Sequence, residues 1–234
     1  MRARILSFFF PKDAVCIGCG ALRVDHIAWS LCSACAEGVT PLTPPFCPRC
    51  GMPGWAMVCP DCLAHAPDAL DGRFSGYLYS DTVRKLVRAL KYQSVGHAVE
   101  ALADGMTRAL PQERFDALIP VPLYRARQRA RGFNQAMLLA AALSERTGIP
   151  VLDAMCRNRS TKTQTRLSRN NRMRNVQGAF DVMMNVRSRT LLLVDDMLTT
   201  GATALACAQA LKAAGASRVI LITAARADVS QDAD

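Results

Sequence analysis

The sequence predicts an α/β fold, a parallel sheet flanked by helices, preceded by a small cysteine-rich module. Three observations predict it. From residue 73 onward, strand-like apolar runs alternate with amphipathic helical patterns, the order of a parallel sheet with crossover helices. One such run, 191–194, ends in an acidic pair and a Thr/Gly loop that opens a helical pattern. Four C-x-x-C pairs, holding eight of the ten cysteines, all stand before residue 63. The expected division is 1–66 for the cysteine module and 67–234 for the α/β domain.

Residues 1–15 are a short apolar lead-in. Met1-Arg2-Ala3-Arg4 has the character of a basic leader, but the apolar stretch 5–10 stops at Pro11 and no small-x-small site follows. No run approaches the ~18 apolar residues of a membrane span. The expectation is a cytoplasmic protein, at the inner face of a membrane only through partners. Residues 16–62 are rich in Pro and Gly, and 63–72 read as a linker. Residues 73–79 alternate as a strand. Asp81 can cap a helix to 92, with Val83, Leu86, Val87 and Leu90 on one face. A second helix is expected over 97–110, and 115–121 read as a buried strand that Pro122 ends. Phe133, Met137, Ala140 and Ala141 stripe a helix over 132–147, closed by Gly148. Strands are expected at 151–157, 190–194 and 218–224, and a helix at 203–214.

The cysteine pairs are Cys16/Cys19, Cys32/Cys35, Cys47/Cys50 and Cys59/Cys62. In a reducing compartment such pairs ligate metal rather than form disulfides. C-x-x-C followed by Gly, as at Gly20 and Gly51, makes a knuckle that aims two thiolates at one tetrahedral ion, and two knuckles close a four-sulfur zinc site. Thioredoxin-like chemistry would need one pair at a helix start. Iron–sulfur clusters use other spacings. Two structural zinc ions are therefore expected. Consecutive pairing gives one site from Cys16, Cys19, Cys32 and Cys35 and another from Cys47, Cys50, Cys59 and Cys62; interleaved pairing stays open, at the cost of longer loop closures. Cys156 and Cys207 read as small core residues.

The formal net charge is +10, and its placement is uneven. Residues 1–66 carry five Lys/Arg against four Asp/Glu; the remainder carries 24 against 15. Polyanionic ligands are the natural inference for that basic half. Its cations concentrate in two segments. PVPLYRARQRARGFNQA (120–136) follows a strand and holds Arg125, Arg127, Arg129 and Arg131; backbone amides with an Arg suit a pyrophosphate. RNRSTKTQTRLSRNNRMR (157–174) has seven Lys/Arg and no acid, the composition of a loop that closes on an anion or contacts a nucleic-acid backbone.

LLLVDDMLTTGAT (191–203) joins a buried run, the pair Asp195 and Asp196, and the loop Thr199-Thr200-Gly201-Ala202-Thr203. Backbone N–H groups in such a loop at a helix N-terminus wrap a phosphate, and the acids accept hydrogen bonds from ribose hydroxyls. A Walker B strand is the rival reading, but it needs a Gly-Lys-Ser/Thr loop, and no Gly of this chain is followed by Lys. The segment resembles the phosphoribosyl pyrophosphate (PRPP) motif of type I phosphoribosyltransferases.

Taken with the cysteine pairs, RKLVRALKY (84–92), IPVPLYRARQRARGFNQA (119–136) and RNRSTKTQTRLSRNNRMRNVQGAF (157–180), the chain resembles the ComF family. That resemblance implies a double zinc ribbon joined to a type I phosphoribosyltransferase fold, with a role in DNA uptake and the handling of single-stranded DNA. It implies that Asp195 and Asp196 hold the ribose hydroxyls, that Thr199, Thr200, Gly201, Ala202 and Thr203 cradle the 5′-phosphate, and that Pro122, Leu123, Tyr124 and Arg125 form the pyrophosphate loop. Lys91 matches a basic position near the site. Arg131, Gln164, Arg172 and Asn175 match basic-loop positions, with Arg166 and Arg169 beside them. Implied ligands are PRPP with Mg²⁺ and single-stranded DNA, with a helicase-like ATPase of the uptake machinery as partner. Catalysis would displace pyrophosphate at ribose C1 by a nitrogen nucleophile. No general base stands out, and a nucleobase-salvage enzyme is the alternative.

Overall fold

The computed structural model of the chain describes residues 15–22, 31–92, 96–159 and 176–227. Two short helices, α1 (Ser33–Glu37) and α2 (Pro60–Ala64), belong to the cysteine module. Then follow β1 (Gly72–Leu78), α3 (Asp81–Tyr92), α4 (Gly96–Arg108), β2 (Ala117–Pro120), α5 (Arg125–Arg131) and α6 (Gln135–Thr147). The chain closes with β3 (Met155–Arg157), β4 (Phe180–Val182), β5 (Thr190–Leu198), α7 (Ala202–Ala213) and β6 (Arg218–Arg226).

Strands β1, β6, β5 and β2 lie side by side in that order, all parallel. β3 and β4 form a separate antiparallel ribbon. Period-two alternation sorts the side chains of β5 and β6 into two layers. Leu192, Val194, Ile220 and Ile222 pack with α3, α4 and α6. Leu191, Leu193, Val219 and Leu221 pack with α7 and the β3–β4 ribbon. All eight are essentially inaccessible, and burying each contributes ~1.5–3 kcal/mol.

Several elements differ from the sequence expectation. β5 runs on through the acidic pair to Leu198, because β6 keeps pairing with it (Asp195 opposite Thr223, Leu198 opposite Arg226). β2 stops at Pro120, opposite Val194. The acidic pair thus has a paired strand on one side and an opening on the other. The helix expected from 132 is two helices. The strong helix formers of RARQRAR make α5, Gly132 ends it in the left-handed conformation (φ 85°), and Asn134 caps α6. The strand expected over 151–157 shortens to β3, with Val151 bridging Leu118 at the open edge of β2. β4 is a strand the sequence pattern did not predict.

The chain leaves β5 toward β6 through α7, and leaves β2 in the opposite direction through α6. That reversal opens a crevice at the carboxyl ends of β2 and β5, the place where open α/β sheets bind ligands. The cysteine module docks on the far edge of the sheet. Pro41 bridges Tyr77 of β1 in antiparallel fashion, and the Leu42 N–H donates to the Gly76 carbonyl at 2.9 Å. Among the described residues no helix is long and apolar enough to cross a membrane.

Candidate functional site

A cleft of about 720 Å³ lies in the crevice, lined by Lys91 of α3, Val121, Pro122 and Leu123 after β2, and Asp195 and Asp196 of β5. Arg127, Ala130 and Arg131 of α5, Gln135 of α6, Arg157 of β3 and Thr203 of α7 complete the lining. The sheet explains the acids. Past Pro120 the chain of β2 diverges, so the β5 edge beyond Val194 faces the opening. The two carboxylates have opposite circumstances. Asp196 is buried and pairs with the Lys91 ammonium at 2.6 Å. The Asp195 Oδ1 accepts the Asp196 N–H at 2.8 Å. Burial, and then the charge of Asp196, push the Asp195 carboxyl well above the ordinary carboxylate range.

Beside the cleft is a small hollow of about 60 Å³ lined by residues 197–204 together with Asp195, Leu221 and Thr223. The Thr199–Thr203 loop shapes it. Gly201 takes the left-handed conformation (φ 71°) at the N-cap of α7, which no side chain caps. A non-Gly residue there would be strained. An uncapped helix start leaves its first N–H groups turned outward toward an anion. The hollow and the cleft share Asp195 and Thr203.

Of the sequence-predicted residues, the structure brings Lys91, Pro122, Leu123, Arg131, Asp195, Asp196 and Thr203 to the cleft, and Thr199, Thr200, Gly201 and Ala202 to the hollow. Tyr124 and Arg125 do not line the cleft. Tyr124 is the N-cap of α5, and it bridges Arg157 in parallel fashion. Gln164, Arg166, Arg169, Arg172 and Asn175 lie outside the described residues. Sequence reasoning singled out neither Arg127, Gln135 nor Arg157 as an individual site residue. Arg157 lies 5.4 Å over the Phe180 ring. Burial, and then the charge of Arg127, lower its pKa. Gln135 is buried, and its Oε1 accepts from Arg131 at 2.5 Å. Four cations and two carboxylates line the cleft, so it carries a positive excess suited to a polyanion. No histidine and no aromatic ring is among the described residues that line it.

The cysteines gather in consecutive pairs. The sulfurs of Cys16, Cys19, Cys32 and Cys35 lie within 4.8 Å of one another, as do those of Cys47, Cys50, Cys59 and Cys62. The two knuckles repeat one geometry. The Gly20 N–H donates to the Cys16 carbonyl at 2.8 Å, and the Gly51 N–H to that of Cys47 at 2.9 Å. The Cys32 N–H donates to the Cys16 sulfur at 3.2 Å and the Cys59 N–H to the Cys47 sulfur at 3.3 Å. Burial pushes the Cys16 and Cys47 thiols up, but the backbone donors around each outweigh it and bring both to about 6. A thiol poised to ionise is what a metal ligand requires. Sulfur separations of 3.7–3.8 Å between the knuckles suit a tetrahedral ion with Zn–S bonds of about 2.3 Å. Both donor sets fit structural zinc.

Residues 5–64 match the family described as "Double zinc ribbon domain", and residues 130–234 match "Phosphoribosyl transferase domain". The "Competence protein F" of Haemophilus influenzae is 32% identical over 216 residues, covering 86% of this chain and 93% of its own length. The "DNA utilization protein YhgH" of Escherichia coli K12 is 31% identical over 208 residues, 85% of this chain and 90% of its own. The "Competence protein ComFC" of Bacillus subtilis is 27% identical over 235 residues, 89% and 94% respectively. Among solved structures, the glutamine PRPP amidotransferase of B. subtilis complexed with ADP and GMP has a TM-score of 0.40 at 19% identity, over 58% of this chain and 30% of that one. A purine phosphoribosyltransferase from Pyrococcus horikoshii has a TM-score of 0.33 at 16% identity, over 57% and 83%. The α/β part is a type I phosphoribosyltransferase fold, and the cysteine module a double zinc ribbon.

Proposed function

The chain belongs to the ComF family of competence and DNA-utilization proteins, and we propose from that premise that it binds PRPP with Mg²⁺ in the cleft and single-stranded DNA through the cations around it. One observation carries the PRPP reading. The hollow and the cleft meet at Asp195 and Thr203, so a ligand with an anionic group at each end would straddle the acidic pair. The 5′-phosphate would sit on the Thr199–Thr203 loop and the outward N–H groups of α7. The ribose hydroxyls would donate to Asp195 and Asp196, with Lys91 holding the latter in place. The pyrophosphate would enter the larger cleft, meeting the backbone after β2 at Pro122 and Leu123 and the guanidinium groups of Arg127, Arg131 and Arg157.

Mg²⁺ favours oxygen donors and arrives on phosphates; the Asp195 carboxylate at the cleft wall is the chain's matching hard donor. When bound, the ion would neutralise a departing pyrophosphate. The rest of the work belongs to side chains that place charge and exclude water. The described cleft lining offers no histidine as a general base and no aromatic ring on which a nucleobase would stack. The acceptor is therefore left unassigned. Arg166, Arg169 and Arg172 would add contacts to one of the two anions, the pyrophosphate or the nucleic acid. The protein would act in the cytoplasm, working with a helicase-like ATPase of the uptake machinery.

Isothermal calorimetry tests the reading. Wild type should bind PRPP with Mg²⁺. Asp195→Asn with Asp196→Asn should lose binding while keeping its circular dichroism spectrum. Equal binding by the two proteins overturns the ribose assignment.

A further inference from the structure

Helix α5 buries none of its residues, yet it carries Arg125, Arg127, Arg129 and Arg131 at every second position. With 3.6 residues per turn, a step of two rotates the side chain by about 200°. Successive arginines therefore fall on opposite faces, Arg127 with Arg131 and Arg125 with Arg129. The surroundings agree with that division. Arg127, Ala130 and Arg131 line the cleft, whereas Arg125 and Arg129 do not. Both outer arginines are exposed. Among the described residues no hydrogen bond or ion pair engages either side chain. Like charges one turn apart repel, and the pairs Arg125/Arg129 and Arg127/Arg131 put two such repulsions on one short helix. Anions on both faces would offset them.

We propose that α5 is a two-sided cationic ridge. Its inner face, Arg127 and Arg131, closes on the ligand in the cleft, while its outer face, Arg125 and Arg129, holds the phosphodiester backbone of a single-stranded nucleic acid at the same time. The identity of the inner ligand rests on the PRPP reading above; the outer face is tested apart from it. Two faces mean two sets of cations, so the two anions do not compete. Each removes part of the repulsion within α5, so each favours the helix that the other uses, and the coupling is reciprocal.

The test uses the full chain, with a labelled oligothymidylate followed by fluorescence anisotropy over a range of salt and PRPP with Mg²⁺ followed by calorimetry. Arg129→Gln should weaken oligonucleotide binding and flatten the log–log salt slope by about 0.7, the contribution of one single-strand phosphate. PRPP affinity should stay within about twofold, since Arg129 does not line the cleft. Arg129→Lys should retain the slope, and Arg127→Gln should weaken PRPP alone. Saturating PRPP should leave wild-type oligonucleotide affinity undiminished. An unchanged slope in the Gln variant, displacement of the oligonucleotide by PRPP, or a wild type that ignores the oligonucleotide at low salt would each overturn the proposal. A wild type that binds no PRPP defeats the functional reading instead, and the two Arg129 variants still decide the outer face through their slopes.

Discussion

Asp195 and Asp196 are adjacent in sequence and opposite in setting. Asp196 pairs with the Lys91 ammonium at 2.6 Å. Asp195 is pushed up by burial and then by its neighbour's charge. An acid whose pKa is raised by folding binds its proton more tightly in the folded state than in the unfolded state. Its contribution to stability is therefore fully present below the unfolded value of about 3.9 and is lost as pH rises through the raised folded value. Asp195→Asn removes that loss. The unliganded variant should melt above wild type at pH 7–8, with about 2–4 °C for each kcal/mol relieved, and the gap should close as pH falls. Scanning calorimetry over that range checks it; a gap independent of pH would mean that the carboxylate carries no such penalty. Without a ligand the acidic pair thus carries a charge penalty that the proposed ribose hydroxyls would relieve.

Helix α6 shows how an element fixes the site from outside it. The Asn134 Oδ1 accepts the Ala136 N–H at 3.0 Å, and its Nδ2 donates to the Val121 carbonyl at 3.0 Å. One side chain both caps α6 and ties it to the segment leaving β2 at the cleft. Asn134→Ala should cost about 1 kcal/mol, the usual worth of an N-cap, or about 2–4 °C in a chain of this size. Thermal melts decide it; an unchanged melting temperature would make the tie dispensable. Asn134 and Gly132 are local signals, and with their help the sequence could have divided α5 from α6. The 191–203 motif was legible for the same reason, since strand, acids and loop are contiguous. The consecutive cysteine pairing was only favoured, by its shorter loops; the interleaved scheme stayed open until the sulfurs were placed in space. Arg157 was not legible as a site residue. It reaches the cleft because β3 pairs antiparallel with β4 and Tyr124 bridges it, and neither contact leaves a periodic mark in a three-residue strand. The extension of β5 to Leu198 was hidden for a related reason: polar residues in a strand look like a strand end until the neighbouring strand is seen.

At the scale of the whole molecule, each of the two zinc sites is fastened to an element that reaches the cleft or the hollow beside it. The Lys85 ammonium donates to the Gly18 carbonyl at 2.5 Å within the first knuckle, and Lys85 shares α3 with Lys91. The Arg226 guanidinium donates to the Cys50 carbonyl at 2.9 Å in the second knuckle. Arg226 is buried at the end of β6, opposite Leu198, where the Thr199–Thr203 loop begins. Gly51 lets the second knuckle press on β1, since a Cβ there would lie 1.8 Å from the Arg73 carbonyl oxygen. Four thiolates around one Zn²⁺ leave two net negative charges, so a cation beside each knuckle is also electrostatically apt. Elemental analysis should find two zinc ions per chain, with no iron or sulfide. Arg226→Met should retain both ions yet lose about 2 kcal/mol, the worth of a charged hydrogen bond, or about 4–8 °C. It should also weaken PRPP binding, because the end of β6 then holds Leu198 less firmly. Removing zinc with a chelator should go further and abolish PRPP binding in calorimetry, since the knuckles lose their shape when the thiolates lose the ion. A zinc-free chain that binds PRPP with undiminished affinity would show that the ribbon is fastened to the site without governing it.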